Sequence, residues 1–391
     1  MRPPVIQFLL PSVQFAQQYS LPPDKLQRAI EYAHAGYWLH FESEIYAIVI
    51  LVAIIASGLA AKFRDWAEAV STRRFVQALV FVPLLLLTND LVYLPANIRG
   101  QWLERKYDQS IQTWPSWLWD WTKTELIALA CAIPLAFLLY AVIRRSPRRW
   151  WLYFWLATLP IIVTVMYLEP MVIEPMFYNF QPLSAQHPEL VNQLEGLVTR
   201  AGLSIPPSRM FEMKASEKLN SLNAYVSGFG GSKRLVVWDT TLQKLTTPET
   251  LFVFGHEMGH YVLNHIRNSL LLLALVLLPL LWAASHIVRR LVPDVGDWTS
   301  LPVLLLIVAI ASAIAEPVVN TYSRWQEHQA DLYGLEVTHG IVPAAAAAHS
   351  FQVMGEIGLD EPHPNPFIVF WLYSHPSTAS RLELAQRFRQ P

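Results

Sequence analysis

Cysteine and charged residues are both scarce in this chain. Cys131 is the single cysteine among 391 residues, so the chain can form neither an intramolecular disulfide nor a zinc site built on cysteines. Charged residues make up 15% of the sequence and hydrophobic residues 53%, a balance that excludes an ordinary soluble globular protein. The formal net charge of -1 gives no reason to propose a nucleic-acid partner, and we expect none.

Targeting and repeat signals are also missing. The first 20 residues have no basic stretch and are broken by prolines, so they do not match a secretory signal peptide. No internal repeat or low-complexity linker is visible along the chain. These absences leave the apolar runs as the main guide to the architecture.

Long apolar runs are abundant, and six of them have the length of a membrane-spanning helix, roughly 17–25 residues. Tryptophans cluster beside several of these runs, as expected where a helix meets the membrane interface. We therefore predict an integral, multi-pass membrane protein in contact with a lipid bilayer. The predicted spans cover residues 45–61, 75–94, 126–143, 151–167, 270–288 and 301–319.

Two carboxylates interrupt the apolar spans. Asp90 lies near the end of the second span and Glu316 near the end of the sixth. An ionisable side chain at such a depth either marks a functional site that faces a protein interior, or lies at the interface where a helix ends. A pore or carrier built on Asp90 and Glu316 is therefore one alternative function.

A polar segment between the fourth and fifth spans, residues 174–268, can fold as a separate unit. Residues 188–201 repeat apolar side chains at helical spacing, and a glycine-rich turn is predicted at 228–232. This pattern predicts a small α+β unit beside the membrane bundle. Its predicted strands are residues 210–213, 223–227 and 235–238.

The most informative motif in that segment is His256-Glu257-Met258-Gly259-His260, on a helix predicted to begin at Thr247. Two histidines four residues apart lie on one face of a helix, so both imidazoles can reach one Zn2+. The glutamate beside the first histidine can take a proton from a water molecule at the metal's open position. The motif predicts a hydrolytic zinc site that needs a third protein ligand.

The third ligand does not come from the positions that closely follow this motif. Leu263 and Ile266 stand where a metzincin would place glycine and histidine, and the apolar residues 277–280 stand where a short-spaced gluzincin would place glutamate. Glu327 and Asp331 lie four residues apart, on one face of a later helix. One of the two could bind zinc while the other holds a ligand imidazole in position.

The combination of residues 256–265 with residues 323–331 resembles the integral-membrane zinc endopeptidases of the CAAX prenyl protease family. Further stretches resemble that family in the same order, and the likeness covers most of the chain from about residue 75 onward. They are residues 174–183, 223–242 and 374–382.

The resemblance implies one catalytic Zn2+, held by His256, His260 and Glu327. Glu257 would act as the general base that takes a proton from the attacking water. Asp331 would hold a ligand histidine from behind. Together these residues would hydrolyse a peptide bond.

The resemblance also implies catalytic roles for two residues near the end of the chain. His375 and Arg381 would face the substrate cleft, where His375 would donate to the developing oxyanion. Each residue has a structural role as its alternative: His375 could cap the last helix, and Arg381 could pair with Asp331 or Glu383.

A substrate-binding strand is implied as well. Asn223, Ala224 and Tyr225 would pair with an extended substrate by adding it to a sheet edge. For Asn223 a role as a turn residue is the alternative.

We predict a mostly α-helical fold, a multi-pass transmembrane bundle of about six spans with a small α+β zinc metalloprotease domain. Two spans separate the HExxH helix from the Glu327 helix, so the packing of the bundle sets the geometry of the zinc site. The predicted regions are an N-terminal segment that could lie along the interface (1–43), spans one to four (44–173), a protease part with the HExxH helix (174–267), a transmembrane hairpin (268–319), and a protease part with the third ligand and the tail (320–391).

The predicted function is a membrane-embedded zinc metalloendopeptidase that acts on a peptide or protein, prenylated in the case of the eukaryotic relatives. One alternative is a general protease for damaged membrane proteins. Another is a catalytically silent membrane scaffold that keeps zinc as a structural ion. An intact Glu257 argues against the scaffold, because a purely structural site needs no base there.

The membrane orientation is left open by the sequence. Basic residues concentrate in three loops opposite the protease domain, and the positive-inside rule would place that face in the cytoplasm. The resemblance implies the reverse, because the family's protease side faces the cytosol. The basic residues are Lys62, Arg64, Arg73, Arg74, Arg144, Arg145, Arg148, Arg149, Arg289 and Arg290.

Overall fold

A computed structural model of the chain describes residues 18–228 and 232–388, and α-helices dominate it. Residues 1–17, for which the sequence predicts no signal peptide, and the centre of the predicted turn at 228–232 lie outside these ranges. The described residues form α1 (Pro23–Ala56), α2 (Leu59–Val70), α3 (Arg74–Lys106), α4 (Trp114–Arg145), α5 (Trp150–Leu168), α6 (Pro188–Arg200), α7 (Asp239–Lys244), α8 (Thr247–Val262), α9 (His265–Leu291), α10 (Ser300–Val337), α11 (Ala344–Gly358), α12 (Pro366–Leu372) and α13 (Thr378–Arg387).

Within the described residues, six helices are long and apolar enough to cross a membrane. They are α1, α3, α4, α9, α10 and α5, which continues through a π-helical turn at Glu169–Ile173. Each of them contains most or all of one predicted span. The prediction of a multi-pass helical membrane bundle is therefore confirmed.

The first span ends earlier than the sequence predicts. α1 stops at Ala56 because Gly58 adopts the left-handed backbone conformation, with φ 69°, which interrupts the helical hydrogen-bond ladder. The predicted span residues from Leu59 onward belong to α2 instead. α1 also runs unbroken through residue 43, where the predicted N-terminal segment ends, and forms one helix of 34 residues.

At the end of the bundle far from the polar segment, the connecting loops close over an apolar core. Trp298, between α9 and α10, is fully buried, and its indole nitrogen donates to Gln77 Oε1 at 3.1 Å. Its ring lies 4.4 Å from that of Tyr140. Arg144 donates to the carbonyl of Gly296 at 3.0 Å. These contacts bring the basic loop after α4 against the α9–α10 loop.

The polar segment contains a four-stranded sheet in the order β1-β2-β4-β3. β4 pairs parallel with β2 and antiparallel with β3, and its Leu235, Val236 and Val237 are fully buried. The three strands predicted from sequence are confirmed. β1 was not predicted, because three residues are too few to show the alternating pattern of a strand. The strands are β1 (Phe180–Pro182), β2 (Met210–Met213), β3 (Ala224–Ser227) and β4 (Arg234–Trp238).

α8 carries the HExxH motif and begins with a capping box. Thr246 is the capping residue, one position before the predicted start at Thr247, and its backbone N–H donates to Glu249 Oε2 at 2.6 Å. The buried Phe252 packs edge-on against Phe351 of α11, with ring centres 5.3 Å apart. The cap fixes where the helix starts, and the apolar contacts fix which face turns inward.

α10 joins two segments that the sequence treats separately. It is a single helix of 38 residues, so the sixth predicted span and the predicted helix with Glu327 and Asp331 are continuous. Pro317 lies inside α10 without ending it, as is common in membrane helices. The predicted fold class, a helical membrane bundle with a small α+β unit, is confirmed, and α10 physically links the two.

Candidate active site

Two helices bring the HExxH histidines and Glu327 together. α8 presents His256 and His260, whose Nε2 atoms are 3.2 Å apart. α10 presents Glu327, whose carboxylate oxygens lie 3.2 Å from His256 Nε2 and 3.4 Å from His260 Nε2. All three side chains therefore direct electron-pair donors toward one point.

Glycines allow α8 and α10 to approach closely enough for this arrangement. A Cβ added at Gly334 of α10 would lie 2.9 Å from the backbone nitrogen of His256. One added at Gly259 of α8 would lie 3.2 Å from the Cα of Ala330. Gly259 is a middle residue of the HExxH motif, so the motif sets the crossing of the two helices as well as presenting the histidines.

The spacing of the three donors fits a tetrahedral zinc ion. Zinc bonds of about 2.0–2.2 Å at tetrahedral angles separate neighbouring donors by about 3.3 Å, and the donors here lie 3.2 to 3.4 Å apart. Glu327 Oε2 is buried and makes no hydrogen bond within the described part of the chain. Its lone pairs are therefore available to a cation, and the residues fit the predicted metal.

The charges around His256 also favour a cation. Burial alone would lower the pKa of His256, but the nearby carboxylates of Asp331 and Glu327 outweigh burial and raise the pKa to about 10. His260 behaves oppositely, because burial and then the charge of His256 lower its pKa to about 4. The pocket therefore favours positive charge beside its two carboxylates.

Asp331 and Arg381 support His256 from the side away from the three donors. Asp331 is fully buried, and its Oδ1 lies 2.8 Å from His256 Nδ1. Arg381 binds the same carboxylate twice, from Nε to Oδ2 at 2.9 Å and from Nη2 to Oδ1 at 2.6 Å. Glu383, the other partner considered for Arg381, pairs with Arg387. The arginine thus lies behind the histidine rather than among the metal-binding atoms.

Glu257 lies beside the predicted metal position. Its Oε1 is 3.9 Å from His256 Nε2. Burial raises the pKa of Glu257 to about 7. A pKa near neutrality suits a group that accepts a proton and later returns it.

His375 reaches the site from the loop before α13. Its Nε2 lies 3.5 Å from Glu327 Oε2, and its side chain is 56% exposed, so it faces open space beside the buried carboxylate. It does not cap α13, because Ser377 does so by accepting a hydrogen bond from the Ser380 backbone N–H. The position matches the predicted cleft, and the catalytic role of His375 stays a prediction.

The predicted substrate strand lies beside the HExxH helix. β3 is an edge strand of the sheet. Its Val226 lines a cavity together with Glu257 and His260. β3 therefore lies next to the predicted reaction centre.

The residues predicted to pair with an extended substrate also make contacts within the protein. Ala224 is buried in the core, and the Tyr225 hydroxyl donates to Glu174 Oε2 at 2.6 Å. The Asn223 backbone N–H donates to Thr241 Oγ1 at 2.8 Å. Substrate contacts from this strand would therefore come from its backbone rather than from the Ala224 or Tyr225 side chain.

His265 lies beside His260 without being one of the three donors. Its Nδ1 lies 3.1 Å from His260 Nδ1, and its Nε2 lies 3.3 Å from Gln329 Oε1. Asn264 adopts the left-handed conformation, with φ 58°, and separates α8 from α9. Helical spacing therefore does not predict that His265 lies beside His260. The sequence signal for the break is Asn264 itself, because asparagine tolerates the left-handed conformation.

Two family models match most of the chain between them. The model described as "Peptidase family M48" matches residues 184–388. The model described as "CAAX prenyl protease N-terminal, five membrane helices" matches residues 11–179.

Similar proteins and a solved structure agree with these matches. A Bacillus subtilis protein described as "Uncharacterized metalloprotease YhfN" is 34% identical over 94% of this chain and 87% of its own length. "CAAX prenyl protease 1" of Saccharomyces cerevisiae is 27% identical over 78% of this chain and 71% of its own length. The crystal structure of S. mikatae Ste24p superposes with a TM-score of 0.81 and 22% identity over 96% of this chain and 93% of that one, a likeness of fold.

Proposed function

This chain belongs to peptidase family M48, and on that premise we propose that it is a zinc endopeptidase whose metal is held by His256, His260 and Glu327. As a family member it is an integral, multi-pass membrane metalloprotease with a metal cofactor and a peptide or protein substrate. The identity of the metal, the roles of individual residues and the substrate class are the proposal.

The observation that carries the proposal is the convergence of three donors beside Glu257. When bound there, zinc would supply Lewis acidity toward the scissile carbonyl and the attacking water. Glu257 takes a proton from that water and returns it to the leaving amine. Its pKa of about 7 supports both transfers, because neither protonation state is strongly favoured near neutral pH.

Asp331, Arg381 and His375 take supporting roles in this proposal. Asp331 accepts from His256 Nδ1, which leaves the lone pair of Nε2 for the metal. Arg381 fixes the Asp331 carboxylate with two hydrogen bonds and acts as a positioning residue. His375, exposed next to Glu327, donates to the developing oxyanion of the substrate.

The edge of β3 supports a binding mode for the substrate. An extended peptide can add to an exposed sheet edge through main-chain hydrogen bonds, and β3 offers such an edge. Val226 of that strand and Leu270 and Leu273 of α9 line the cavity that contains Glu257. A peptide lying along β3 would place an apolar side chain in this cavity.

For the substrate class we infer a protein ending in a prenylated CAAX sequence. The support is the name of relatives such as "CAAX prenyl protease 1" of Saccharomyces cerevisiae and the match of the CAAX prenyl protease N-terminal model to residues 11–179. No residue of the catalytic site described above distinguishes a prenylated from a bare peptide.

The test is cleavage of two matched CAAX-ending peptides, one farnesylated and one bare, by the full-length protein purified in detergent. Glu257→Ala and a zinc chelator should abolish cleavage, whereas Glu336→Gln, on the exposed side of α10, should retain it. Strong preference for the farnesylated peptide supports the full proposal. No cleavage by a preparation shown to hold zinc overturns it.

The position of the basic loops supports a second candidate function, the general turnover of membrane proteins. They lie at the end of the bundle away from the catalytic residues, and the positive-inside rule would place the active site outside the cytoplasm. Equal cleavage of the two peptides would favour this candidate and keep the zinc endopeptidase chemistry.

A further inference from the structure

A second group of metal-ligating side chains lies between α1 and α10. His40 and Glu44 stand one turn apart on α1, and Glu316 faces them from α10. His40 Nε2 lies 3.2 Å from Glu316 Oε2 and 3.8 Å from Glu44 Oε1. One ligand atom from each of the three side chains falls within 4.8 Å of the others.

This cluster is separate from the proposed catalytic site but shares a helix with it. Glu316 and Glu327 are 11 residues apart on α10, which corresponds to about three turns and about 16 Å along the axis. Because 11 residues make about three full turns of an α-helix, the two carboxylates lie on about the same face of α10. No residue of the catalytic site contributes to this second group.

The charges in the cluster are unbalanced without a further cation. Among the described residues, no lysine or arginine pairs with Glu44 or Glu316, and their ion pairs are with His40. The neighbouring Glu42, in contrast, pairs with Arg99. A protonated His40 could balance one of the two carboxylates, whereas a divalent cation with a neutral imidazole balances both. Uncompensated carboxylates next to an apolar span are costly.

The donor set and its spacing fit a transition metal. Imidazole and carboxylate ligands suit Zn2+ and its first-row neighbours. The 3.2 Å separation of His40 and Glu316 matches the roughly 3.3 Å expected between neighbouring ligands of tetrahedral zinc. The three side chains are 34%, 31% and 23% exposed, so an ion can reach them and keep a water ligand.

We propose that His40, Glu44 and Glu316 bind a second divalent transition-metal ion, of which Zn2+ is the probe used below. The ion connects α1 to α10 about three turns from the proposed catalytic metal. Since α1 also contacts the protease domain, where Tyr37 donates to Glu361 at 2.9 Å, the ion anchors this helix along α10.

The experiment measures bound zinc per chain in the full-length protein, saturated with Zn2+ in detergent and then freed of excess metal. The expected content is about two ions per chain for the unmodified protein and about one for Glu316→Gln. The matched control is Glu42→Gln, on the same helix as His40 and Glu44 but outside the cluster, which should keep about two. A content of about one that Glu327→Gln abolishes and Glu316→Gln leaves unchanged overturns the proposal.

A second measurement covers the case in which Glu316→Gln fails to fold. The Glu327→Gln variant lacks a ligand of the proposed catalytic site and should bind about one Co2+ through the second cluster, with visible d–d absorption. Adding His40→Ala to this variant should remove the absorption. Absence of Co2+ absorption from the Glu327→Gln protein, or absorption that survives His40→Ala, overturns the proposal.

Discussion

The two metal-ligating clusters on α10 differ in what surrounds them. Two of the three proposed catalytic ligands, His256 and Glu327, are buried, and each of the histidines has a partner behind it, Asp331 for His256 and His265 for His260. The cluster of His40, Glu44 and Glu316 is partly exposed and lacks comparable support among the described residues. A site that performs chemistry needs ligands fixed in orientation, whereas a site that joins two helices needs only affinity.

The largest expected effect comes from removing the base while keeping the ligands. Glu257→Gln should lower kcat by roughly 10²–10⁴-fold, because proton transfer from the attacking water is lost. Zinc content measured on the same preparation should stay unchanged, since Glu257 is not among the three proposed ligands. Full activity with the glutamine would remove Glu257 from the mechanism.

Removing the support behind His256 should weaken metal binding. Asp331→Asn retains the shape of the side chain but loses the charge that holds His256 and Arg381, and zinc affinity should fall roughly 10–100-fold. Zinc competition with a chromophoric chelator measures this. Glu336→Gln, on an exposed position of the same helix, is the control. Equal affinities for the two variants would contradict the support role.

Pushing α8 away from α10 should shift the backbone that carries His256 and so disturb the proposed catalytic site. Gly334→Ala places a Cβ 2.9 Å from the His256 nitrogen, and we expect a loss of stability of about 1–3 kcal/mol together with weaker zinc binding. Gly36→Ala on α1 meets nothing within 4 Å and should be neutral or slightly stabilising. Thermal unfolding of both variants in detergent, with and without zinc, checks this pair.

The smallest expected effect concerns His265. His265→Asn removes the contact with His260 but leaves all three proposed ligands in place. Zinc affinity should therefore fall by only about threefold to tenfold, no more than the smallest loss usual when a residue that supports a metal ligand is removed. The same chelator competition measures it. A loss as large as that for Asp331→Asn would mean that both histidines depend equally on their supporting partners.

The elements with strong local signals were predictable from the sequence. The six spans follow from long apolar runs, and β2, β3 and β4 from short runs rich in apolar or β-branched residues. The sequence also identified the residues that α8 and α10 bring together, because His256, His260 and Glu327 belong to motifs with defined spacing. These features depend on residues close together in the sequence, so local sequence patterns are enough to predict them.

Features set by single backbone conformations or by long-range packing were missed. The end of α1 depends on Gly58, and the approach of His265 to His260 depends on the left-handed Asn264. The continuity of α10 from Ser300 to Val337 joins a span and a helix that the sequence places in separate regions. The pairing of His40 with Glu316 joins residues 276 positions apart, a distance at which no local pattern carries information.

The separation of α8 from Glu327 by the α9–α10 hairpin has a consequence for biosynthesis. When His256 and His260 have left the ribosome, the helix with Glu327 and Asp331 has yet to be made, and Arg381 follows later still. A growing chain therefore holds two histidines without their carboxylate partner until α10 inserts. We expect hydrolytic activity to switch on only after α10 has been made and inserted, so that a half-made protease cannot attack other nascent chains at the site of membrane insertion.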